Sequence, residues 1–231
     1  MTVREIQPPE VWGISTFPLG DSCIAWEAGQ DEIRDDAMAL APRWQALGIR
    51  KGERALFVTL LSQAAHAWPM QIATLISGAQ LSCADATGAD AMRVAMFCRT
   101  LSFRAVVGVD EACLDGLADI DAAPADVLGD VPVVLAHPGA YRRLESSGLR
   151  PYRLLFCGPA LGIGVEAGGP ALVDAARWTV EADPAGELRV TSLTDRHTPF
   201  TDQPTGVRGQ VDPAVVDGRE CWAIVPEDDP T

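Results

Sequence analysis

Apolar and polar positions change period repeatedly along this 231-residue chain, and each change predicts an element. Residues 1–22 contain Pro8, Pro9, Pro18 and Gly20 and read as an irregular arm. Cys23–Glu27 is a short apolar run, read as an edge strand ended by Ala28-Gly29. From Asp31 to Leu47 the apolar residues Ile33, Ala37, Leu40, Ala41, Trp44 and Leu47 recur at helical spacing, with Gly48 as the stop and Pro42 as a place to kink. Arg54–Leu60 reads as a buried parallel strand, Gln63–Ile76 as a buried helix and Gln80–Ala84 as a second strand. Asp90–Leu101 is a third helical stretch, and Arg104–Val109 a third strand. This alternation, with short connections, predicts an α/β fold with a doubly wound, mostly parallel sheet.

The pattern then loosens. Residues 115–131 are rich in Asp, Ala, Gly and Pro and read as a loop, with an acidic linker over 117–130. Val131–Leu135 reads as a strand, Pro138–Glu145 as a short helix with proline in its first turn, and Tyr152–Cys157 as another strand. Gly158–Gly169 is glycine-rich. Trp178–Glu181 and Glu187–Leu193 alternate around Asp183-Pro184-Ala185-Gly186 and predict an antiparallel hairpin. Beyond Asp195 the chain is polar and broken by Pro and Gly, with one last strand expected at Cys221–Val225.

Composition narrows the partners. Eighteen basic residues stand against 32 acidic ones, for a net charge of −14, which opposes a phosphate-rich duplex partner. Of the basic residues only Lys51 is a lysine. No apolar run approaches the roughly 20 residues a membrane span needs. The charged, proline-containing start does not read as an export signal, so a cytoplasmic protein without membrane or nucleic-acid partners is expected. Six dispersed cysteines form no CxxC pair, and His66, His137 and His197 are scattered, so reduced thiols and no metal site are expected.

Several segments, taken in order, carry a resemblance. Leu47-Gly48-Ile49-Arg50-Lys51-Gly52-Glu53-Arg54-Ala55 is similar to a GV-x-x-GD-x-V turn and strand. Ile76-Ser77-Gly78-Ala79-Gln80-Leu81-Ser82-Cys83 is similar to a K-A-G-A-x-x-x-P step, and Leu101–Val107 to an S-x-A-x-x-V-V strand entry. Further on, Pro138-Gly139-Ala140-Tyr141-Arg142-Arg143-Leu144 is similar to a P-x-x-Y-x-x-L helix entry. Cys157-Gly158-Pro159-Ala160-Leu161 is similar to a strand followed by a G-G-A-P-L turn. Gly186–Thr194, with Pro199-Phe200 and Thr205-Gly206-Val207, is similar to a G-E-L-x-x-T-x-L … T-G-D run. Together these segments resemble the adenylate-forming superfamily of acyl-CoA synthetase type. The resemblance implies a compacted N-terminal adenylation domain, with an adenine- or acyl-side pocket at Gly158, Pro159, Ala160, Leu161, Thr205 and Gly206.

Departures from that pattern accumulate. The family's phosphate loop belongs between Val109 and Val131, where this chain has six aspartates instead of hydroxyls, glycines and a lysine. The magnesium-holding Y-G-x-T-E motif is replaced by Gly162-Ile163-Gly164-Val165-Glu166, and the ribose-binding Asp by Val207. The family's C-terminal domain and its catalytic lysine have no counterpart, and Lys51 falls on a turn. Gly162, Gly164 and Gly168 are off the spacing of a dinucleotide loop and read as a plain connection. Arg142, Arg143, Arg150 and Arg153 form a basic cluster, with Arg142 and Arg143 the candidate anion site and a solvated face the plainer reading. No GxSxG elbow supports a hydrolase. Asp195, Arg196, His197 and Asp202 read as a surface charge cluster.

The expected organisation is an arm over 1–22, an α/β half-domain over 23–116, the linker over 117–130, and a smaller α/β and hairpin portion over 131–231. The expected function is a non-catalytic protein, without cofactor, that keeps a cleft for a small acyl or adenosine-type ligand or for a partner protein. The alternatives are a ligase completed by another subunit and a structural module that assembles as a homodimer or larger oligomer.

Overall fold

The computed structural model describes residues 10–60 and 62–227. Thirteen strands and six α-helices alternate along them: β1 (Val11–Leu19), β2 (Ser22–Gly29), α1 (Gln30–Ala46), β3 (Arg54–Val58), α2 (Ala64–Ile76), β4 (Gln80–Ala84), α3 (Ala91–Thr100), β5 (Ala105–Val109), α4 (Glu111–Asp119), α5 (Pro124–Leu128), β6 (Val133–Ala136), α6 (Pro138–Ser146), β7 (Tyr152–Cys157), β8 (Ala160–Ile163), β9 (Ala171–Asp174), β10 (Trp178–Ala182), β11 (Glu187–Ser192), β12 (Gln203–Val216) and β13 (Arg219–Pro226). Eleven strands form one sheet in the order β10-β11-β12-β13-β9-β8-β7-β6-β5-β3-β4. Pairings from β4 to β7 are parallel, and those from β7 to β10 are antiparallel.

The parallel half is doubly wound. β3, β5 and β6 are buried on both faces, so they read as unbroken apolar runs. Alternate residues divide between two cores. Leu56, Val58, Val106 and Val134 pack with α3 to α6, while Phe57, Val107 and Leu135 pack with α1 and α2. Trp44 of α1 is fully buried there and donates its Nε1–H to the Met70 carbonyl and the Thr74 hydroxyl at 3.0 and 2.8 Å. A third core lies on the antiparallel half, where Phe17 and Trp26 of the β1–β2 hairpin cover Leu155, Val173, Val180 and Val190.

Three expectations are corrected. Residues 11–19 are a strand, not an irregular arm, while Met1–Pro9 lie outside the described residues. Gly13, Ser15 and Phe17 face inward in strict alternation, and Pro18 is tolerated on the exposed face. Residues 111–128 are two short helices rather than a linker. Asp110 caps α4 by accepting from the Cys113 amide at 2.8 Å, and Leu114, Leu117, Val127 and Leu128 are buried while most of the aspartates face water. The polar stretch after Asp195 contains β12, fourteen residues long, whose Pro, Gly and Asp are carried by pairing with β11 and β13. Among the described residues no helix is long and apolar enough to cross a membrane.

Candidate functional site

Helix α1 carries Asp36, Leu40 and Arg43 at i, i+4 and i+7, so all three project from one stripe. That stripe faces the first turn of α2, the β7–β8 turn and the β9–β10 connection. Between them lies a narrow cleft with about 40 Å³ of room inside it, whose walls include His66, Pro69, Pro159, Leu161 and Trp178. α2 is positioned there by β1, because the buried Ser15 hydroxyl accepts from the Ala65 amide at 2.8 Å. That bond satisfies one of the otherwise orphaned amides of the first helical turn.

His66 is the cleft's most constrained polar group. It is 2 % exposed, its ring stacks on Phe156 at 4.2 Å, and Trp26 meets it edge-on at 5.4 Å. Its Nε2 lies 3.0 Å from the Gly158 carbonyl. A carbonyl only accepts, so Nε2 carries the proton. Burial pulls the pKa down to about 4 against the smaller opposing pull of the Gly158 carbonyl, so the ring is neutral near pH 7. Nδ1 therefore presents a lone pair, and it has no hydrogen-bond partner among the described residues. His137 meets the other side of this group, edge-on to Phe156 at 4.7 Å, and burial also lowers its pKa to about 4. The Cys157 thiol, just before the turn, is pushed up to about 12 by burial and stays protonated.

Charges gather at the cleft's other end. Asp36 accepts from Arg177 at 2.6 Å and from Arg196 at 2.7 and 2.9 Å. The Arg196 side chain is 1 % exposed, bonds Glu32 at 2.9 Å and lies over the Trp178 ring at 4.5 Å. Arg43 is different. It is only 9 % exposed, and its guanidinium donates to the Leu172 carbonyl at 2.5 Å and the Cys221 sulfur at 3.2 Å, both neutral acceptors. Among the described residues, no group of three His, Cys, Asp or Glu side chains could hold a metal ion.

By sequence, the chain matches no protein-family model and no curated protein. Its structure is similar to those of several ligases. A 2-hydroxyisobutyryl-CoA ligase in its postadenylation state superposes with a TM-score of 0.69 at 16 % identity, over 93 % of this chain and 50 % of that one. The anthranilate CoA ligase AuaEII gives 0.59 at 13 % identity, over 96 % and 49 %. The N-terminal subdomain of Klebsiella oxytoca NpsA gives 0.57 at 15 % identity, over 91 % and 57 %. This chain has an adenylation-domain fold. It spans about half the length of these solved structures.

Within this adenylation fold the residues singled out in the sequence lie in two places. Gly158, Pro159, Ala160 and Leu161 form the β7–β8 turn and the start of β8, and Pro159 and Leu161 line the cleft. Thr205 comes from β12 and is buried against the turn, so that a Cβ on Gly158 would stand 3.2 Å from its methyl group. Gly206 follows at φ +71°, close against the Pro18 carbonyl of β1. Arg142 and Arg143 stand on α6, away from the cleft walls, and Arg143 is paired with Asp115 of α4 at 2.7 Å. The group around Asp195 separates. Arg196 enters the buried network, His197 lies 3.2 Å from Glu27, and Asp202 pairs with Arg189. Arg43, Asp36 and Arg177 escaped sequence reading because each is an ordinary surface-type residue there. Only the i, i+4, i+7 placement of Asp36, Leu40 and Arg43 hinted at a shared face.

Proposed function

We propose that this adenylation-fold chain is a non-catalytic protein that binds a small acyl or nucleotide-type ligand in the cleft beside the β7–β8 turn. The observation that carries the reading is the relation of that cleft to the chain's one lysine. Lys51 precedes β3 and packs beside Gly78, at the N-terminal edge of the parallel strands, whereas the turn follows the C-terminal end of β7. The two stand at opposite ends of the parallel strands, which argues against an ammonium from these residues meeting charge that develops at the cleft. The position supports ligand binding on its own terms, since open α/β sheets take ligands outside the carboxyl ends of their strands. Similar folds hold acyl-adenylates or their analogues, as in the 2-hydroxyisobutyryl-CoA ligase bound to an acyl-AMP and NpsA bound to 3-hydroxyanthranilyl-AMSN. A second reading, a ligase completed by another subunit, is favoured by one fact. The chain spans half the length of the ligases it resembles.

Thermal unfolding with AMP, CoA, ATP-Mg and a set of carboxylic acids separates the two. The binding reading expects a raised midpoint with AMP or an acid, abolished by Ala39→Trp, which fills the cleft, and no pyrophosphate release from ATP-Mg. Pyrophosphate release by the purified chain would overturn it, as would a ligand-induced shift that Ala39→Trp leaves intact.

A further inference from the structure

The parallel end of the sheet stops at β4 without protection. β4 has β3 on one side and no described strand on the other. Sheet edges are ordinarily blunted by a charge or a proline, because their unpaired amides and carbonyls invite another strand. The opposite edge follows that rule, with Glu181 of β10 facing water. β4 does not, since Gln80-Leu81-Ser82-Cys83-Ala84 holds neither. The Gln80 amide donates to the Glu53 carbonyl at 2.8 Å, and the Ala84 carbonyl accepts from the Thr59 amide at 3.2 Å, so the even-numbered residues are spent on β3. Strand alternation then turns the N–H and C=O groups of Leu81 and Cys83 outward.

The surroundings decide which strand fits. Cys83 lies beneath α2, with its sulfur 3.8 Å from the Gln71 side-chain nitrogen. One helical turn on, Leu75 and Ile76 are 57 % and 46 % exposed. α2 holds no Asp, Glu, Lys or Arg in its thirteen residues. In a chain of net charge −14, two copies can therefore approach here without repulsion. The two ends of β4 also differ in sign. At its start Lys51 packs on Gly78, and Arg54 donates to the Gln80 side chain at 2.9 Å, which outweighs Glu53. At its end stands Asp85. A strand with a basic start and an acidic end complements its own copy run antiparallel. Two-fold symmetry imposes the same direction.

We infer that β4 is a homodimerisation edge, pairing antiparallel with β4 of a second copy about a two-fold axis at Ser82. Leu81 then faces the partner's Cys83, and each such pair exchanges both backbone bonds, about four in all. The axis stands normal to the sheet, so α2 and its copy lie side by side on one face. α2 runs back against the strand direction. Four helical residues rise about 6 Å and two strand residues about 6.6 Å, which sets Leu75 level with Leu81 and against the partner's Gln71. The assembly leaves the cleft untouched, since β3, β5 and β6 stand between β4 and β7. It goes beyond the ligand-binding reading and does not depend on it.

The test is sedimentation velocity of the full chain from about 1 to about 100 µM. The mass is expected to rise toward twice the 24.5 kDa of one chain. Cys83→Pro removes an outward N–H that β3 does not use, so it is expected to fold and to stay monomeric. Leu75→Glu, on the exposed face of α2, is a second variant expected to be monomeric with native circular dichroism. In a Cys23→Ser/Cys83→Ser background, Ser82→Cys is expected to form an intermolecular disulfide on mild oxidation, because the axis sets it opposite itself, and Gln80→Cys is not. A ligand-induced shift at the cleft bears on none of these outcomes. The inference falls if the unmutated chain stays at 24.5 kDa throughout, if a folded Cys83→Pro or Leu75→Glu remains dimeric, or if Gln80→Cys cross-links in preference to Ser82→Cys.

Discussion

Replacing His66 by glutamine isolates what it costs this fold to bury a titratable ring. Glutamine can still donate to the Gly158 carbonyl, but it carries no charge at any pH. The folded-state pKa near 4 lies below the ordinary 6.5, so the unfolded chain takes up the proton first as pH falls. The stability at stake is therefore intact above pH 6.5 and drains away as pH falls toward 4. Integrating between those values, His66 removes about 2 kcal/mol between pH 7.5 and pH 5. His137, also lowered to about 4 by burial, titrates over the same range. Urea unfolding followed by tryptophan fluorescence at the two pH values reads the effect, with extrapolated free energies compared between wild type and His66→Gln. The informative quantity is the difference of differences. Carboxylates and His137 titrate in both proteins and cancel, whereas a constant packing loss from the substitution affects both pH values alike. Wild type is expected to lose about 2 kcal/mol more than the variant on acidification. Equal losses would refute the claim that His66 is held neutral by burial.

Three further outcomes follow from other contacts. Arg196→Met should destabilise the protein by about 3–5 kcal/mol in urea unfolding, since it leaves Glu32 buried without its cation; a loss under one kcal/mol would mean the network is far more hydrated than its geometry indicates. Gly158→Ala should cost about 1–2 kcal/mol, because the turn holds this residue at φ +55° against Thr205, and a variant as stable as wild type would show that the turn can re-form. Cys23 and Cys83, both exposed, should react with a thiol reagent in the native protein, while Cys113 and Cys157, buried and pushed up to about 12, should react only after denaturation. Rapid native labelling of Cys157 would show that the β7–β8 turn opens.

What could be read from the chain alone was governed by local forces. β4 and β7 fall at Gln80–Ala84 and Tyr152–Cys157 as predicted, and α1, α2 and α3 fall within two residues of their expected ends. In each, apolar periodicity and a terminal glycine or charge agree. Period-2 and period-3.6 burial is a property of neighbouring residues, so it survives without knowledge of the rest of the chain. The resemblance to an adenylation domain rested on the same ordered segments, and the superposition over 93 % of the chain bears that fold out. The misread stretches are those where pairing partners overrule local preference. β1 and β12 contain Pro and Gly and are strands because β2, β11 and β13 supply their hydrogen bonds. α4 and α5 are helical because their few leucines and valines reach a core built by residues far away.

The cleft belongs wholly to the tertiary structure. Arg196 meets Glu32 across 164 positions, and Arg43 meets Leu172 and Cys221 across 129 and 178. A charged side chain declares its charge in the sequence, but whether it is solvated or paired depends on which distant backbone closes over it. Sequence therefore determined most of the elements and the class of fold they make. Only the tertiary packing decided that an ordinary arginine should be buried against Leu172 and Cys221 and an ordinary histidine against the Gly158 carbonyl.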